Sequence, residues 1–403
     1  MIKLEKQYIT SCENKARLNF DFSIDGKKSN IWYEVENKYS QYLCTERCDA
    51  FVIGVLPYAL TKNHDIVSEI PMTEELCYKL NTTLIPLLSK NDEHIFDIKI
   101  SVPTTAEVLQ NAGAVGTGVS GGADSFHAIL NTYDSKYKGL QLTHLCLFNV
   151  GSFKGNKRFQ KDIYERCIER AEIIAQEFKL PLIISNSNLA DVFSRNHACT
   201  HDYSSAFGIC CLQKLWKSYY YASSCTDVNI FTLKNSSKND SDVYAPLIHY
   251  CFNNYNLNII SEGMHKNKME KLESIADSPV VQKYLHVCTA KSDNCSKCPK
   301  CKRTMLALDA IGKLDNFSDV FDIEYYNKNR FKYYWLLFKN HYHKVITTED
   351  VYQKIKSKMT KSEFVRLKFL VALRYFIFDV THSERKVYKH IKFFGINFKY
   401  KKR

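Results

Sequence analysis

Alternating apolar and polar positions near the start of the chain predict a β-hairpin. Apolar residues alternate with polar ones over 20–24 and again over 31–35, and the dipeptide Asp25-Gly26 between them favours a tight turn. The same part of the chain predicts helices at Asp49–Leu60 and from Thr73 to near Leu88, then a closing strand at 95–100. We therefore expect a separate α/β unit over residues 1–112, in which no catalytic constellation is evident.

From Ala114 onward, short apolar runs alternate with longer amphipathic ones. The predicted strands are Ala114–Val119, Leu142–Asn149, Pro181–Asn186, Asn229–Leu233 and Leu257–Ser261. The predicted helices are Asp124–Thr132, Asn156–Phe178 and Ser204–Ala222. Such alternation is typical of a parallel sheet covered on both faces. Because ligands of these sheets bind beyond the carboxyl ends of the strands, we expect the chemistry after Val119, Asn149, Asn186 and Leu233.

The last eighty residues are aromatic and basic. Apolar positions at helical spacing in Tyr333–Phe338 and Phe364–Val380 predict helices, and Thr347 with Asp350 resembles a capping box. The interpretation is a small helical domain. The predicted domains are thus 1–112, an α/β accessory domain; 113–318, the central domain; and 319–403, a basic aromatic helical domain.

Composition excludes several classes of protein. The chain has 403 residues, of which 45% are hydrophobic and 25% charged, so it has ample apolar material for a folded core. No run of about 18 uncharged apolar residues occurs, and the first residues lack the apolar core of a signal peptide. We expect a cytoplasmic protein that does not contact a membrane.

Charge is distributed unevenly along the chain. Residues 324–403 contain 20 Lys and Arg against 6 Asp and Glu, a net charge of +14, whereas the preceding residues carry a net charge of −1. This asymmetry predicts a polyanion contact through the basic C-terminal domain. The alternative is that the aromatic residues form a helical core and that Lys and Arg are simply its solvent-exposed side. A homodimer is a further expectation.

A glycine-rich segment follows the first strand of the predicted sheet. Gly118-Val-Ser-Gly-Gly-Ala-Asp-Ser125 ends at the start of a helix. Paired glycines let the backbone approach an anion, and the N–H groups of the new helix face it with a favourable dipole. Ser120 and Ser125 add hydroxyl groups, and Asp124 suits a Mg²⁺ ligand or an orienting acceptor. A serine-capped turn without a ligand is the alternative.

Four of the fifteen cysteines fall within fourteen residues. They are Cys288, Cys295, Cys298 and Cys301, among several lysines that would offset the charge of four thiolates. In a long chain without a secretory signal, such a cluster favours a metal over disulfides. Structural Zn²⁺ takes four sulfur ligands in tetrahedral geometry, so these four residues are the predicted zinc ligands. An iron–sulfur cluster or four coincidentally buried cysteines remain alternatives.

The glycine-rich segment resembles the PP-loop, Ser-Gly-Gly-x-Asp-Ser, of ATP pyrophosphatases, and a Walker motif is absent. The resemblance implies a five-stranded parallel sheet of the Rossmann-like adenine-nucleotide α-hydrolase type. It also implies an enzyme that uses ATP and Mg²⁺, adenylates a substrate oxygen and releases pyrophosphate. By this resemblance the residues that bind pyrophosphate are Ser120, Gly121, Gly122, Asp124 and Ser125. Asn149 and Ser185, at the ends of the next two strands, are candidates for contacting adenine or ribose.

The cysteine spacing after this loop is similar to that of the 7-cyano-7-deazaguanine synthase-like family, whose metal is structural zinc. The resemblance covers about residues 113–314. Lys268, before a predicted helix, lies where the family has a lysine and is a candidate phosphate or AMP contact; with Ser120, Asp124 and Ser125 it completes the predicted catalytic set. Its alternative is a solvated helix start.

The departures from that family concern the acceptor. Where the synthase carries a Pro-Gly-Arg-Asn-like stretch, this chain has His197-Ala-Cys-Thr-His-Asp-Tyr-Ser-Ser205. We therefore expect a ligase-type enzyme that forms AMP and pyrophosphate, activates a different carboxylate or amide oxygen, and joins it to an amine or ammonia. Family analogy places it in nucleic-acid or protein modification or antiviral defence. The alternatives are an enzyme that inserts sulfur into RNA, or a non-catalytic component that binds nucleotide or nucleic acid.

Overall fold

The computed structural model describes residues 1–153, 157–193, 197–224, 241–288, 291–345, 348–382 and 388–401. These form two compact units, Met1–Lys271 and Leu272–Arg403. The predicted strand at Asn229–Leu233 and Thr347 of the predicted capping box lie outside the described residues. Among the described residues, no helix combines the length and apolar character that crossing a membrane requires.

Fifteen strands are described. They are β1 (Ile2–Cys12), β2 (Lys15–Ile24), β3 (Lys27–Glu36), β4 (Ile66–Ser68), β5 (Met72–Thr73), β6 (Ile100–Ser101), β7 (Thr104–Thr105), β8 (Ala114–Gly118), β9 (His144–Asn149), β10 (Leu182–Ser187), β11 (Trp216–Ala222), β12 (Asn258–Glu262), β13 (Phe378–His382), β14 (Tyr388–Phe393) and β15 (Ile396–Lys401).

The described residues also form fifteen α-helices. They are α1 (Asp49–Lys62), α2 (Glu74–Lys79), α3 (Ile85–Asn91), α4 (Ala123–Tyr133), α5 (Lys157–Phe178), α6 (Leu189–Val192), α7 (His201–Cys211), α8 (Ala245–Phe252), α9 (Lys268–Ile275), α10 (Pro279–Tyr284), α11 (Pro299–Ile311), α12 (Ile323–Lys328), α13 (Arg330–Tyr342), α14 (Glu349–Lys358) and α15 (Lys361–Ile377).

The first unit is built on one mostly parallel sheet of ten strands, ordered β12-β11-β8-β9-β10-β3-β2-β1-β4-β6. The prediction of a five-stranded sheet is therefore wrong in strand number, although strands β12 to β10 of this order do run parallel to one another. The sheet continues because β3 pairs antiparallel with β10, at Glu34↔Asn186 and Tyr33↔Ser187. The N-terminal strands thus extend the central sheet instead of forming their own.

The predicted N-terminal hairpin is confirmed. Strands β2 and β3 pair antiparallel over their whole length, and Ile24 faces Lys27 across a two-residue turn. Asp25 and Gly26 have φ angles of 50° and 83°, the left-handed conformations of a type I′ turn. The side chains of Phe20 and Phe22 are fully buried and pack on Phe51 of α1, at ring-centroid distances of 5.9 and 5.4 Å. The hairpin therefore contributes directly to the core of the first unit.

The predicted helix at Ser204–Ala222 is correct only in its first half. Helix α7 ends at Cys211, and residues 216–222 form β11, which lies between β8 and β12 and runs parallel to both. The run Trp216–Ala222 is rich in tyrosine, which favours strands, and it is mostly buried. Because a strand buried on both faces loses its alternation, hydrophobic periodicity cannot distinguish it from a buried helix.

The second unit is helical from α10 to α15 but ends in a sheet. Strands β13, β14 and β15 form a three-stranded antiparallel sheet within the segment we predicted to be helical. Phe394 and Gly395, with φ angles of 45° and 79°, make a second type I′ turn between β14 and β15. The capping box that the structure forms is at α15, where Thr360 and Glu363 each accept a hydrogen bond from the other's backbone N–H.

Candidate functional site

The glycine-rich segment connects β8 to α4 at the carboxyl edge of the parallel strands. Strand β8 ends at Gly118, and the N–H of Val119 still donates to the carbonyl of Cys146 in the neighbouring β9, at 2.8 Å. Gly121 then has a φ of 74°, which a residue with a side chain adopts only with strain. The turn places the start of α4 directly above the sheet edge, as expected for an anion-binding loop.

Two hydroxyl groups hold this loop in shape. The Ser125 Oγ donates to the Gly118 carbonyl at 2.7 Å and accepts the N–H of Ser120 at 3.1 Å. The Ser120 Oγ in turn accepts the N–H of Gly122 at 3.3 Å. Ser125 is buried, whereas Ser120 is exposed. Ser125 therefore shapes the loop from below, and Ser120 lies where it can also contact a ligand.

Two lysines of α9 meet Asp124 in the first turn of α4. The Lys268 Nζ forms an ion pair with Asp124 Oδ2, and the Lys271 Nζ lies 3.4 Å from Asp124 Oδ1. Lys271 is fully buried and also donates to the Ser223 carbonyl at the end of β11. Sequence reasoning singled out Lys268 and missed Lys271. Their i, i+3 spacing, which places both on one helix face, was the available signal.

His127 lies one turn after Asp124 in α4. Its pKa is lowered to about 4, first by burial and then by the positive charges of Lys266 and Lys271. The imidazole is therefore neutral at physiological pH.

Polar side chains also meet at the carboxyl ends of β9 and β10. Asn149 donates through Nδ2 to the Oδ1 of Asn186 at 3.0 Å, and the Tyr164 hydroxyl donates to the same oxygen at 2.9 Å. The side chain of Ser185, the other candidate for contacting adenine or ribose, is fully buried inside β10, so only backbone groups are available there for such a contact. Because side chains alternate along a strand, it is the neighbouring Asn186 that points out of the core here.

A buried polar network surrounds Asp202 in the first turn of α7. The Asp202 carboxylate is fully buried, lies 3.3 Å from His249 Nε2 and 3.4 Å from His201 Nδ1, and accepts from Ser241 Oγ. Burial raises its pKa, but the hydrogen bond from His249 and the charges of both histidines outweigh this, so the pKa of Asp202 is lowered. His249 Nδ1 lies 2.6 Å from Ser261 Oγ on β12.

An apolar cleft lies beside the end of β9. It is narrow, with an accessible volume of about 30 Å³. Its lining comes from α1, from the turn after β9, from α6 and the residues that follow it, and from the start of α7: Gly54, Pro57, Tyr58, Val150, Gly151, Leu189, Ala190, Phe193, His197, Thr200, Tyr203 and Ser204. The predicted polar residues His197 and Tyr203 both reach it. Because α1 lines this cleft, residues 1–112 contribute to the same edge of the sheet as the glycine-rich segment.

The four predicted metal ligands converge in the second unit. The Sγ atoms of Cys288, Cys295, Cys298 and Cys301 all lie within 4.8 Å of one another, and those of Cys288 and Cys298 are 3.9 Å apart. Sulfurs bound at about 2.3 Å to one tetrahedral ion lie about 3.8 Å apart, so the cluster fits a metal such as zinc.

Local structure explains how this cluster forms. Cys298 is the N-cap of α11, and its Sγ accepts the N–H of Cys301, while Cys295 Sγ accepts the N–H of Cys298. Burial raises the pKa of Cys295, but backbone N–H groups of Lys297 and Cys298 outweigh this and lower it to about 7. A thiol that ionises near neutral pH is ready to bind a metal ion.

Comparison with known proteins yields no relative. No family model matches the chain, and no curated protein and no solved structure matches it significantly. The functional interpretation therefore depends on the geometry of the chain's own motifs.

Proposed function

We propose that this chain is an ATP-dependent enzyme that activates an acceptor oxygen as its adenylate and releases pyrophosphate. The observation that carries the proposal is the loop of residues 120–125, which joins a parallel strand to a helix while two lysines, one fully buried, converge on it. Together these features supply backbone donors, a helix N-terminus and two positive charges within one turn of helix.

Each part of the loop has a distinct task in this proposal. Gly121 lets the backbone come close to the phosphates, and Lys268 and Lys271 neutralise the charge that develops on the departing pyrophosphate. Asp124 pairs with both ammonium groups; phosphate oxygens compete for the partly exposed Lys268, while the fully buried Lys271 keeps Asp124 in place. With ATP bound, Asp124 or a phosphate oxygen can also ligate the accompanying Mg²⁺.

The acceptor is a carboxylate or an amide whose oxygen is adenylated; an amine or ammonia then bonds to the activated carbon, and the C–O bond to AMP breaks so that AMP leaves. We place it at the mouth of the cleft beside β9, which lies one strand from the loop in sheet order and has both apolar and hydroxyl-bearing walls. An acceptor that is itself a nucleic acid or a protein fits the same chemistry.

Sulfur transfer to RNA receives less support from the cysteines of the first unit. The candidates for carrying sulfur are Cys199, Cys210 and Cys211, and a sulfur carrier needs an accessible thiolate. Cys210 and Cys211 are fully buried, and burial raises the pKa of each thiol, so both are core residues of α7. Only Cys199, which is partly exposed, keeps the alternative of sulfur transfer open.

Binding of ATP tests the proposal without knowledge of the acceptor. Gly121→Val and Gly113→Val place the same side chain at φ angles of 74° and 73°, so their backbone strain is matched. We expect Gly121→Val to weaken ATP binding by about tenfold or more, equivalent to at least about 1.4 kcal/mol, and Gly113→Val to leave it unchanged in titration calorimetry with Mg²⁺.

Turnover gives the second test. Once an acceptor is found, Asp124→Ala and Ser120→Ala should abolish pyrophosphate release while the circular dichroism spectrum is retained. A wild-type chain that does not bind ATP, or variants that release pyrophosphate at the wild-type rate, would contradict the proposed function. AMP and pyrophosphate as products would separate it from a component that only binds nucleotide.

A further inference from the structure

The C-terminal sheet presents an uncovered apolar face. Cross-strand pairing joins Phe378 to Phe393 and Phe393 to Ile396, and joins Ile391 to Phe398 two positions along. Paired residues and their i, i+2 neighbours point to the same side of a sheet, so these five side chains share one face. Phe393, Ile396 and Phe398 are 50%, 63% and 51% exposed.

An open groove runs along this face. Phe378, Ile391, Phe393 and Phe398 line a groove of about 980 Å³, its wide mouth included, together with Asn397 and Lys399. Phenylalanine side chains are normally buried, and a contiguous group of exposed ones marks a binding surface. The interpretation of the aromatic residues as a closed core therefore does not hold for this sheet.

The segment that carries the aromatic face is basic, and two of its cations lie at the face itself. Residues 361–403 contain 12 Lys and Arg against 3 Asp and Glu. The Arg374 guanidinium lies 5.6 Å from the centre of the Phe378 ring and donates to the Phe378 carbonyl. Lys399 lines the groove together with Phe398 and Phe393.

The charge decides between the occupants that an apolar face can have. A second copy of the chain would bring two strongly positive segments together, and the cores of protein interfaces are depleted in lysine. A polyanion with exposed flat rings satisfies both the aromatic face and its basic surroundings. We propose that the C-terminal sheet binds single-stranded nucleic acid, with bases stacked on Phe393 and Phe398 and phosphates contacted by the surrounding cations.

The exposed aromatic rings favour single strands over duplexes. Base faces are accessible for stacking on a side chain only where the bases are not already stacked in a helix. A duplex can still meet the cations, but it cannot use the phenylalanines. This inference is independent of the proposed ATP chemistry, which concerns the first unit.

The test uses the full-length chain and a fluorescent homothymidine strand of about 15 nucleotides, within reach of one small binding module. The variant Phe393→Leu with Phe398→Leu keeps an apolar surface and removes only the aromatic rings. We expect fluorescence anisotropy to show binding weakened about fivefold or more per ring, since stacking contributes about 1–3 kcal/mol per base. Phe96→Leu, at a phenylalanine that is 42% exposed in the first unit, is the matched control and should bind normally.

The electrostatic part has its own readout. Lys399→Ala should lower the slope of log affinity against log salt by about 0.7, the value for one lost contact to a single-strand phosphate. The proposal is overturned by absence of binding at low salt, by equal affinity for a duplex of the same length, or by unchanged affinity in the double leucine variant. A dimer in analytical ultracentrifugation that Phe393→Ala with Phe398→Ala dissociates would instead assign the face to self-association.

Discussion

Lys271 is the residue whose environment is most unusual for its type. A lysine side chain is rarely fully buried unless it is paired, and this one is held by Asp124 on one side and by the Ser223 carbonyl on the other. It therefore connects the first turn of α4 to the end of β11. This connection fixes the position of the carboxylate that the proposed function needs next to the phosphates.

Removing this charge should cost both stability and anion binding. Lys271→Met leaves the Ser223 carbonyl without this charged donor, and hydrogen bonds to charged groups contribute about 1.5–3 kcal/mol. We expect the free energy of unfolding, measured with urea, to fall by about 2 kcal/mol, and ATP affinity to fall with it.

The matched control for that substitution is Lys217→Met. Lys217 also donates to a backbone carbonyl, that of Gly139 at 3.3 Å, but its side chain is exposed. A change below about 0.5 kcal/mol is expected there, as for most surface substitutions. Equal losses in the two variants would show that burial of Lys271 has no special role.

At the scale of elements, the cysteine loop organises the helices of the second unit. Ser296, in the left-handed region at φ 56°, accepts the Tyr333 hydroxyl on its carbonyl at 2.5 Å and the N–H of Asp322 on its Oγ at 2.9 Å. These contacts fasten the loop to the start of α12 and to α13. A metal bound by the four thiolates therefore stabilises these helices as well as its own ligands.

Metal removal should loosen these helices. We expect about one zinc ion per chain by mass spectrometry of the metal content, and faster amide hydrogen exchange in α11, α12 and α13 after chelation or in Cys298→Ser. Cys12→Ser, at an exposed cysteine outside the cluster, is the control and should change neither quantity. Iron in place of zinc, or full occupancy without any effect on exchange, would contradict this expectation.

At the scale of the whole molecule, the ten-stranded sheet makes residues 1–112 part of the first unit. The β3–β10 pairing is supported by Asn188, whose Oδ1 accepts the N–H of Trp32 at 2.7 Å and whose Nδ2 donates to the Asn30 carbonyl at 3.0 Å. Helix α1, nearly all of whose residues are buried, belongs to the same core.

Deleting residues 1–112 should therefore prevent folding of the remainder of the first unit. The deletion exposes the edge of β10 and the apolar side chains that α1 covers, so we expect aggregation or loss of cooperative unfolding in calorimetry. Deleting residues 378–403 is the control, because every pairing of the ten-stranded sheet lies within Met1–Lys271. A soluble, cooperatively folding fragment 113–403 would show that the N-terminal segment is a separate domain.

The features that the sequence determined are local. The Asp25-Gly26 turn, the strand–loop–helix around residues 118–125 and the convergence of four cysteines all depend on residues close together in the chain. Positive φ angles, helix N-termini and short Cys-x2-Cys turns are dictated by a few neighbouring residues, so their geometry is readable before any tertiary contact is known.

Only the tertiary structure decided the features that depend on distant pairings. The joining of β3 to β10 adds the N-terminal strands to the sheet, and the position of β11 between two other strands turns an apparent helix into a strand. The same holds at the site, where Lys271 reaches Asp124 across 147 positions and Ser185 turns into the core. Burial and long-range pairing are properties of the assembled chain, and hydrophobic periodicity alone does not say which buried segment meets which.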